Sequence, residues 1–343
     1  ADRTARAVTV QPPRTIPTRH GEIPAQFYEP DGTVRRTAVL IPGIHSFGIN
    51  EPRLMALSRD LAGSGVRVVT IALPDLMQYR ITAQSTDVIE DAVAWLSAQP
   101  DLAPDGCVGV VGVSFSGGLA IAAAGRQALK NKVAYVVSFG GHADLPRVMR
   151  YLATGEEARV EGIDTHPPHD YGVAVILFGL ADRGVVPPDE VTPLRDGIRT
   201  FLLASQLTLV NMSDANEMFA KAREMTKALP EPAATYMTYV NDRHVAKLGP
   251  VLVPHLDALG ADNPALSPAR ALPPSAPVFL LHGREDTVIP PVESVMLEAY
   301  LRERGVPVTL LLSDLITHAE VDNVATASET WKLVSFWAQV LKR

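Results

Sequence analysis

The chain is expected to fold as an α/β protein with a mostly parallel central sheet, helices on both faces and a mainly helical insertion. Three observations predict this. Short continuous apolar runs recur along the first 140 residues and again after 276, the pattern of strands buried on both faces. Stretches with apolar residues at helical spacing separate these runs. Residues 107–125, CVGVVGVSFSGGLAIAAAG, pass from a Val-rich run to an Ala- and Leu-rich one with almost no length for a loop. Such a sharp strand-to-helix turn belongs to a layered sheet.

Residues 1–20 are rich in Arg, Thr and Pro and are expected to be extended. Residues 22–28, flanked by prolines, read as an edge strand, because proline cannot donate to a ladder. Asp31-Gly32 is a turn. Residues 38–41, AVLI, form a short buried strand that ends at Pro42-Gly43-Ile44-His45. Residues 51–62 carry Leu54, Leu57 and Leu61 at helical spacing and stop at Gly63 and Gly65. A strand at 66–73 precedes a helix at 86–99 with Val88, Ala92, Trp95 and Leu96 on one face. The Val-rich strand at 108–113 and its helix come next, then an apolar strand at 132–139.

The rhythm then breaks. From about 144 to 274 the patterns are helical or loop-like, with helices at 201–209 and 215–229 and a single strand candidate at 173–178. Alternation resumes with a strand at 277–281, a helix at 292–304, a strand at 308–312 and a helix at 328–341. The expected organisation is a core made of 1–143 and 276–343, with 144–275 inserted as a cap over the strand ends.

Composition narrows the function. The length of 343 residues allows one large domain or a domain with an insertion, and 47% apolar residues suffice for its core. A net charge of −7 argues against nucleic acid and anionic membrane as main partners. No run approaches 18 apolar residues, so no transmembrane segment is expected. The single cysteine, Cys107, excludes an intramolecular disulfide framework and a Cys-based metal site. The chain begins at Ala1 rather than Met, so it is expected either to be exported or anchored through a removed leader or to be trimmed. The sequence carries no signal for oligomeric state.

The turn Gly112-Val113-Ser114-Phe115-Ser116-Gly117-Gly118 carries the chemistry. A chain turning this sharply crowds its own backbone, and small residues two before and two or three after the apex relieve the crowding. The apex side chain then stands above the sheet beside free helix N–H groups, which describes a nucleophile elbow. A phosphate loop of the Walker type would need Lys, and none lies between 108 and 130. A dinucleotide turn would want Gly where Ser114 stands. Ser114 is favoured as apex because the apolar strand runs without interruption to Val113, and Ser116 is the rival.

An elbow serine needs a base and an orienting acid at the same sheet edge. Asp286 lies just past the strand at 277–281, with Glu285 as the alternative acid. His318 is the only histidine after His282 and lies past the last strand. The oxyanion hole needs two N–H donors. Phe115, which follows the apex, is one, and Ile44, after Gly43, is the other. His45, Ser116 and His142 are candidate substrate-lining residues. The segment His166-Pro167-Pro168-His169-Asp170 could suggest a metal site, but it is a stiff loop with no third cluster, so no metal is expected.

Together these residues resemble the α/β-hydrolase superfamily at the level of esterases, lipases and dienelactone-hydrolase-like proteins. The resemblance covers 38–142 and 276–343 and rests on Gly112-Val113-Ser114-Phe115-Ser116-Gly117-Gly118 and His282-Gly283-Arg284-Glu285-Asp286. The order Ser114, Asp286, His318 is the triad order of that fold. Pro42-Gly43-Ile44 is similar to the oxyanion turn of cutinase-type hydrolases. Ser116 stands where Gly is usual, and the apex is neither the Cys of dienelactone hydrolases nor the Asp of dehalogenases and epoxide hydrolases. The resemblance implies a serine hydrolase acting on small-molecule carboxylic esters, with no cofactor. An amidase or peptidase with the same triad is the second reading. A non-catalytic binding protein is the third, and the retained set of three speaks against it.

Overall fold

Strand and helix alternate along the chain much as the apolar runs dictate. In the computed structural model, which describes residues 5–158, 162–316 and 327–343, the chain opens with β1 (Val8–Val10), β2 (Arg14–Thr18) and β3 (Gly21–Pro30). It continues through β4 (Thr37–Ile41), α1 (Pro52–Gly63), β5 (Arg67–Ile71), the short α2 (Pro74–Met77), α3 (Ala83–Ser97), β6 (Val108–Val113), α4 (Phe115–Ala124) and β7 (Val133–Phe139). A second stretch holds α5 (Leu145–Thr154), a ribbon of β8 (Glu156–Ala158) and β9 (Ile163–Thr165), then α6 (Asp170–Leu180), α7 (Val191–Leu207), α8 (Met212–Thr226), α9 (Ala233–Asn241) and α10 (Val245–Leu252). The chain closes with β10 (Val278–Gly283), α11 (Val292–Glu303), β11 (Val308–Ser313) and α12 (Ala327–Val340).

Nine of the described strands form one sheet in the order β1-β3-β5-β4-β6-β7-β10-β11, with β2 also on β3. From β5 to β11 every pair is parallel. The strands β4 and β10 are buried at every position, so helices must cover both faces. The helix α4 is apolar around its whole circumference and buried along its whole length. One core cluster joins Tyr28, Leu40, Val68, Val111, Val137 and Phe279 of the strands to Leu54 of α1 and Phe336 of α12. Phe336 meets Phe279 edge-on at 5.9 Å. Each such side chain contributes roughly 1.5–3 kcal/mol by leaving water.

Chain direction across the sheet decides where a ligand can enter. After β4 the chain goes outward to β5 and then returns to the other side of β4 as β6. The loops leaving β4 and β6 therefore diverge, and the crevice beyond the ends of these two strands is the topological switch point.

Two compact units result: Ala1–Gln78, Thr82–Asp144 and Asn263–Arg343 form the first, Tyr79–Ile81 and Leu145–Asp262 the second. The second has its own core. In α7, Leu194, Ile198, Phe201 and Leu202 make a buried stripe at helical spacing. Tyr79 is buried there against Phe178, and its hydroxyl donates to Gln206 Oε1 at 3.2 Å.

Three expectations need correction. The strand β3 is not an edge: it pairs with β5 on one side and with β1 and β2 on the other. Pro24 is tolerated because the pairing with β5 spans only 25–28. The apolar run at 173–178 is not a strand but the middle of α6, whose first turn is capped by His169 Nδ1 accepting from the Tyr171 N–H at 3.2 Å. The insertion ends at 262 rather than 275. Thr86 Oγ1 donates to the Ala265 carbonyl at 2.6 Å and the Ala269 N–H to the Ala143 carbonyl at 3.0 Å, which ties 263–271 to the first unit.

Candidate active site

The strand β6 hands over to α4 through a single residue, Ser114, whose backbone sits at φ 56°, ψ −132°. A non-glycine residue there costs roughly 1–3 kcal/mol and persists only where its surroundings hold it. Two backbone bonds do so: the Ser114 N–H donates to the Phe139 carbonyl at 2.6 Å, and the Gly117 N–H to the Ser114 carbonyl at 2.8 Å. Crowding explains the small neighbours. A Cβ at Gly112 would stand 2.3 Å from the Ser116 carbonyl oxygen. A Cβ at Gly43 would stand 3.0 Å from Ser114 Cβ and 3.4 Å from its Oγ, so the loop leaving β4 lies against the turn. Ser114 itself is half-buried.

Ser116 is placed differently. It is fully buried, and its hydroxyl donates to the Pro42 carbonyl, tying α4 to the loop after β4. It is a candidate substrate-lining residue, and its side chain has no exposed surface. Ile44, next to Gly43, therefore lies beside the elbow. Phe115 opens α4, so its N–H has no carbonyl four residues back to donate to.

His142, the second of these candidates, is also fully buried. Its ring stacks on Phe115 with centroids 4.5 Å apart, and its Nε2 lies 2.7 Å from the Leu266 carbonyl oxygen. His45 is 9% exposed, and its Nδ1 accepts from the Phe47 N–H at 3.2 Å. Burial pushes its pKa down to about 4, against the pull of Glu51. It is therefore neutral near pH 7.

The candidate acids lie past β10. Asp286 is 5% exposed, and its Oδ1 accepts from the N–H groups of Val288 at 2.8 Å and Ile289 at 3.0 Å. A Cβ on Gly140, which follows β7, would come within 3.6 Å of its Oδ2. Glu285, the alternative acid, is exposed. His282 is structural: its Nε2 lies 2.8 Å from the Ile289 carbonyl, which can only accept, and its Nδ1 lies 2.7 Å from the Ser294 hydroxyl. The same Nε2 is 3.3 Å from Asp286 Oδ2. The expected base, His318, lies outside the described residues.

Sequence reasoning missed one contributor. Glu293, on the first turn of α11 and 1% exposed, accepts from the Ala143 N–H at 2.9 Å and the Asp144 N–H at 3.0 Å, and so fixes the loop after β7. No motif marks it, because both donors are backbone groups 150 residues away. Among the described residues no group of three His, Cys, Asp or Glu is placed to hold a metal, and no helix is long and apolar enough to cross a membrane.

No protein-family model matches the chain, and no curated protein matches it in sequence. Solved structures do. Brefeldin A esterase, described as a bacterial homologue of human hormone-sensitive lipase, is similar with a TM-score of 0.51 and 15% identity over 100% of this chain and 76% of that one. A hyperthermophilic esterase from the archaeon Pyrobaculum calidifontis is similar with a TM-score of 0.50 and 20% identity over 98% and 83%. An acylaminoacyl peptidase bound to Z-Gly-Gly-Phe-chloromethyl ketone is similar with a TM-score of 0.51 and 15% identity over 96% and 41%. These likenesses show the fold, and the chain has the α/β-hydrolase fold.

Proposed function

We propose that the protein is a serine hydrolase that cleaves small-molecule carboxylic esters through an acyl-enzyme. Ser114 Oγ attacks the ester carbonyl while His318 takes its proton. The Ile44 and Phe115 N–H groups receive the charge that grows on the carbonyl oxygen. His318 then delivers the proton to the departing alcohol, and Asp286 orients the imidazole and balances its charge. Water releases the acyl group with the same base. The observation that carries this reading is the strained Ser114 backbone, held at φ 56° at the topological switch point with Gly43 pressed against it. Strain of this kind persists where a structure fixes a side chain for use.

Amide cleavage with the same residues is the second reading, favoured by the likeness to an acylaminoacyl peptidase. A fluorophosphonate probe and a matched pair of substrates, one acyl group carried on p-nitrophenol and on p-nitroaniline, test both. The reading expects a covalent adduct on Ser114 and turnover of the ester at least about 10²-fold faster than that of the anilide. No adduct and no ester turnover would overturn it.

A further inference from the structure

At the sheet edge opposite Ser114, where β4, β5 and β7 begin, the first unit holds a cavity of about 310 Å³. Four cations line it: Arg35 and Arg36 before β4, and Lys342 and Arg343 after α12. In a chain of net charge −7 this is a local reversal of sign. Arg36 pairs with Asp105 at 2.8 Å. Among the described residues Arg35, Lys342 and Arg343 have no carboxylate partner.

Two donors in the wall are left over. Arg36 Nε is out of contact with solvent and has no acceptor among the described residues. Tyr135 is 3% exposed, and its hydroxyl likewise has no partner among the described residues. Burial pushes the Tyr135 pKa up to about 12, against the Arg36 charge, so the phenol remains a donor at neutral pH. A buried donor without an acceptor, as Arg36 Nε is, is rare, because it costs roughly 1–3 kcal/mol. Val66 and Leu341 supply apolar wall to the same cavity.

We propose that this cavity is a binding site for a small phosphate-bearing anion, separate from the candidate active site. A phosphate group supplies what the wall lacks among the described residues: acceptor oxygens for Arg36 Nε and the Tyr135 hydroxyl, and negative charge for Arg35, Lys342 and Arg343. Guanidinium groups match tetrahedral oxyanions in forked geometry, which favours phosphate over a diffuse counter-ion cloud. The volume lies at the lower end of small-ligand cavities and suits a headgroup or a short organic phosphate. Free phosphates and the headgroups of phosphate lipids share this chemistry.

Calorimetric titration with inorganic pyrophosphate at constant ionic strength, and flotation with phosphatidylcholine vesicles with and without phosphatidic acid, test the proposal and separate the two sources. Saturable pyrophosphate binding with a Kd below about 1 mM is expected, weakened about tenfold or more in Arg36→Gln and in Arg35→Gln/Lys342→Gln. Tyr135→Phe removes only the unpaired hydroxyl. It should fold at least as well as the parent and also bind more weakly. Binding confined to phosphatidic acid vesicles, with the same sensitivity to Tyr135→Phe, would assign the site to a lipid headgroup. Absence of saturable binding to both probes, or binding unchanged in Tyr135→Phe and Arg36→Gln, would overturn the proposal. Neither readout depends on ester turnover.

Discussion

Two hydroxyls two residues apart have opposite assignments, and burial separates them. Ser114 is half-buried at the apex, whereas the Ser116 hydroxyl is committed to the Pro42 carbonyl. Ser114→Ala is expected to abolish phosphonate labelling and to lower kcat by about 10³-fold or more. Ser116→Ala should retain labelling and lose about 1 kcal/mol of stability, because the Pro42 carbonyl loses its donor. An adduct on Ser116 in the parent protein would reverse the two roles. The acids allow a similar contrast. Asp286→Asn retains an oxygen to accept the Val288 and Ile289 N–H groups, so it should fold normally while kcat falls by roughly 10³- to 10⁴-fold. Glu285→Gln, at an exposed position, should leave kcat unchanged, and equal losses in the two variants would count against Asp286. The sharp turn at Ser114 was legible in the sequence because backbone crowding there admits few residue types at fixed offsets. The burial of Ser116 and His142 was not legible, because it depends on the loop after β4 and on the turn around Leu266, both remote in sequence.

At the scale of elements, α4 meets β7 almost backbone to backbone. A Cβ at Gly117 would stand 2.4 Å from Ser138 Oγ and 2.9 Å from Gly141 Cα. Ser138 Oγ is itself buried without a partner among the described residues. Gly117→Ala should cost about 1–3 kcal/mol by overpacking. Ser138→Ala should cost almost nothing, because it deletes a hydroxyl that bonds nothing among the described residues. Gly117→Ala made on Ser138→Ala should cost less than it does on the parent, since the nearest obstacle is gone. A double-mutant cycle from urea midpoints checks this, and strict additivity would mean that Gly141, not Ser138, sets the limit. The alternation of strands and helices was legible because strands buried on both faces leave uninterrupted apolar runs. The same rule misread α6, since a helix buried all round also leaves an uninterrupted apolar run. Its Val and Ile residues favour a strand locally, and packing overrides them. The length of α6, 11 residues with Asp170 in the first turn, was the signal that favoured a helix.

For the whole molecule, the titrating groups with shifted acidity on the acid side share one sign. Burial pushes His45 from its ordinary 6.5 to about 4. Burial acts upward on Asp87, but hydrogen bonds from His20 and Arg126 outweigh it and hold the carboxyl below its usual range. Asp91 is lowered in the same way by Arg19, and Glu51 by Arg53, each against its burial. Arg19, just after β2, bonds to Glu90 and Asp91 of α3, and Arg126, beyond α4, bonds to Asp87 and Glu90. The α3 carboxylates therefore tie that helix to the turn after β2 and to the segment beyond α4. As pH falls from about 6.5 to 4, the unfolded chain protonates His45 while the folded chain does not, so up to about 3 kcal/mol of stability is lost. Below about pH 4 the unfolded chain protonates its carboxyls while the folded Asp87, Asp91 and Glu51 stay ionised, and stability falls further. Acid destabilisation should thus begin about two pH units above the carboxylate range. His45→Asn keeps an acceptor for the Phe47 N–H and removes the titration, so its urea midpoint should stay flat between pH 6.5 and 4.5, where that of the parent declines. Below pH 4 the two proteins should fall in parallel. A parent midpoint that is level across the upper window, or a variant that declines with the same slope, would remove His45 as the group that sets the first stage.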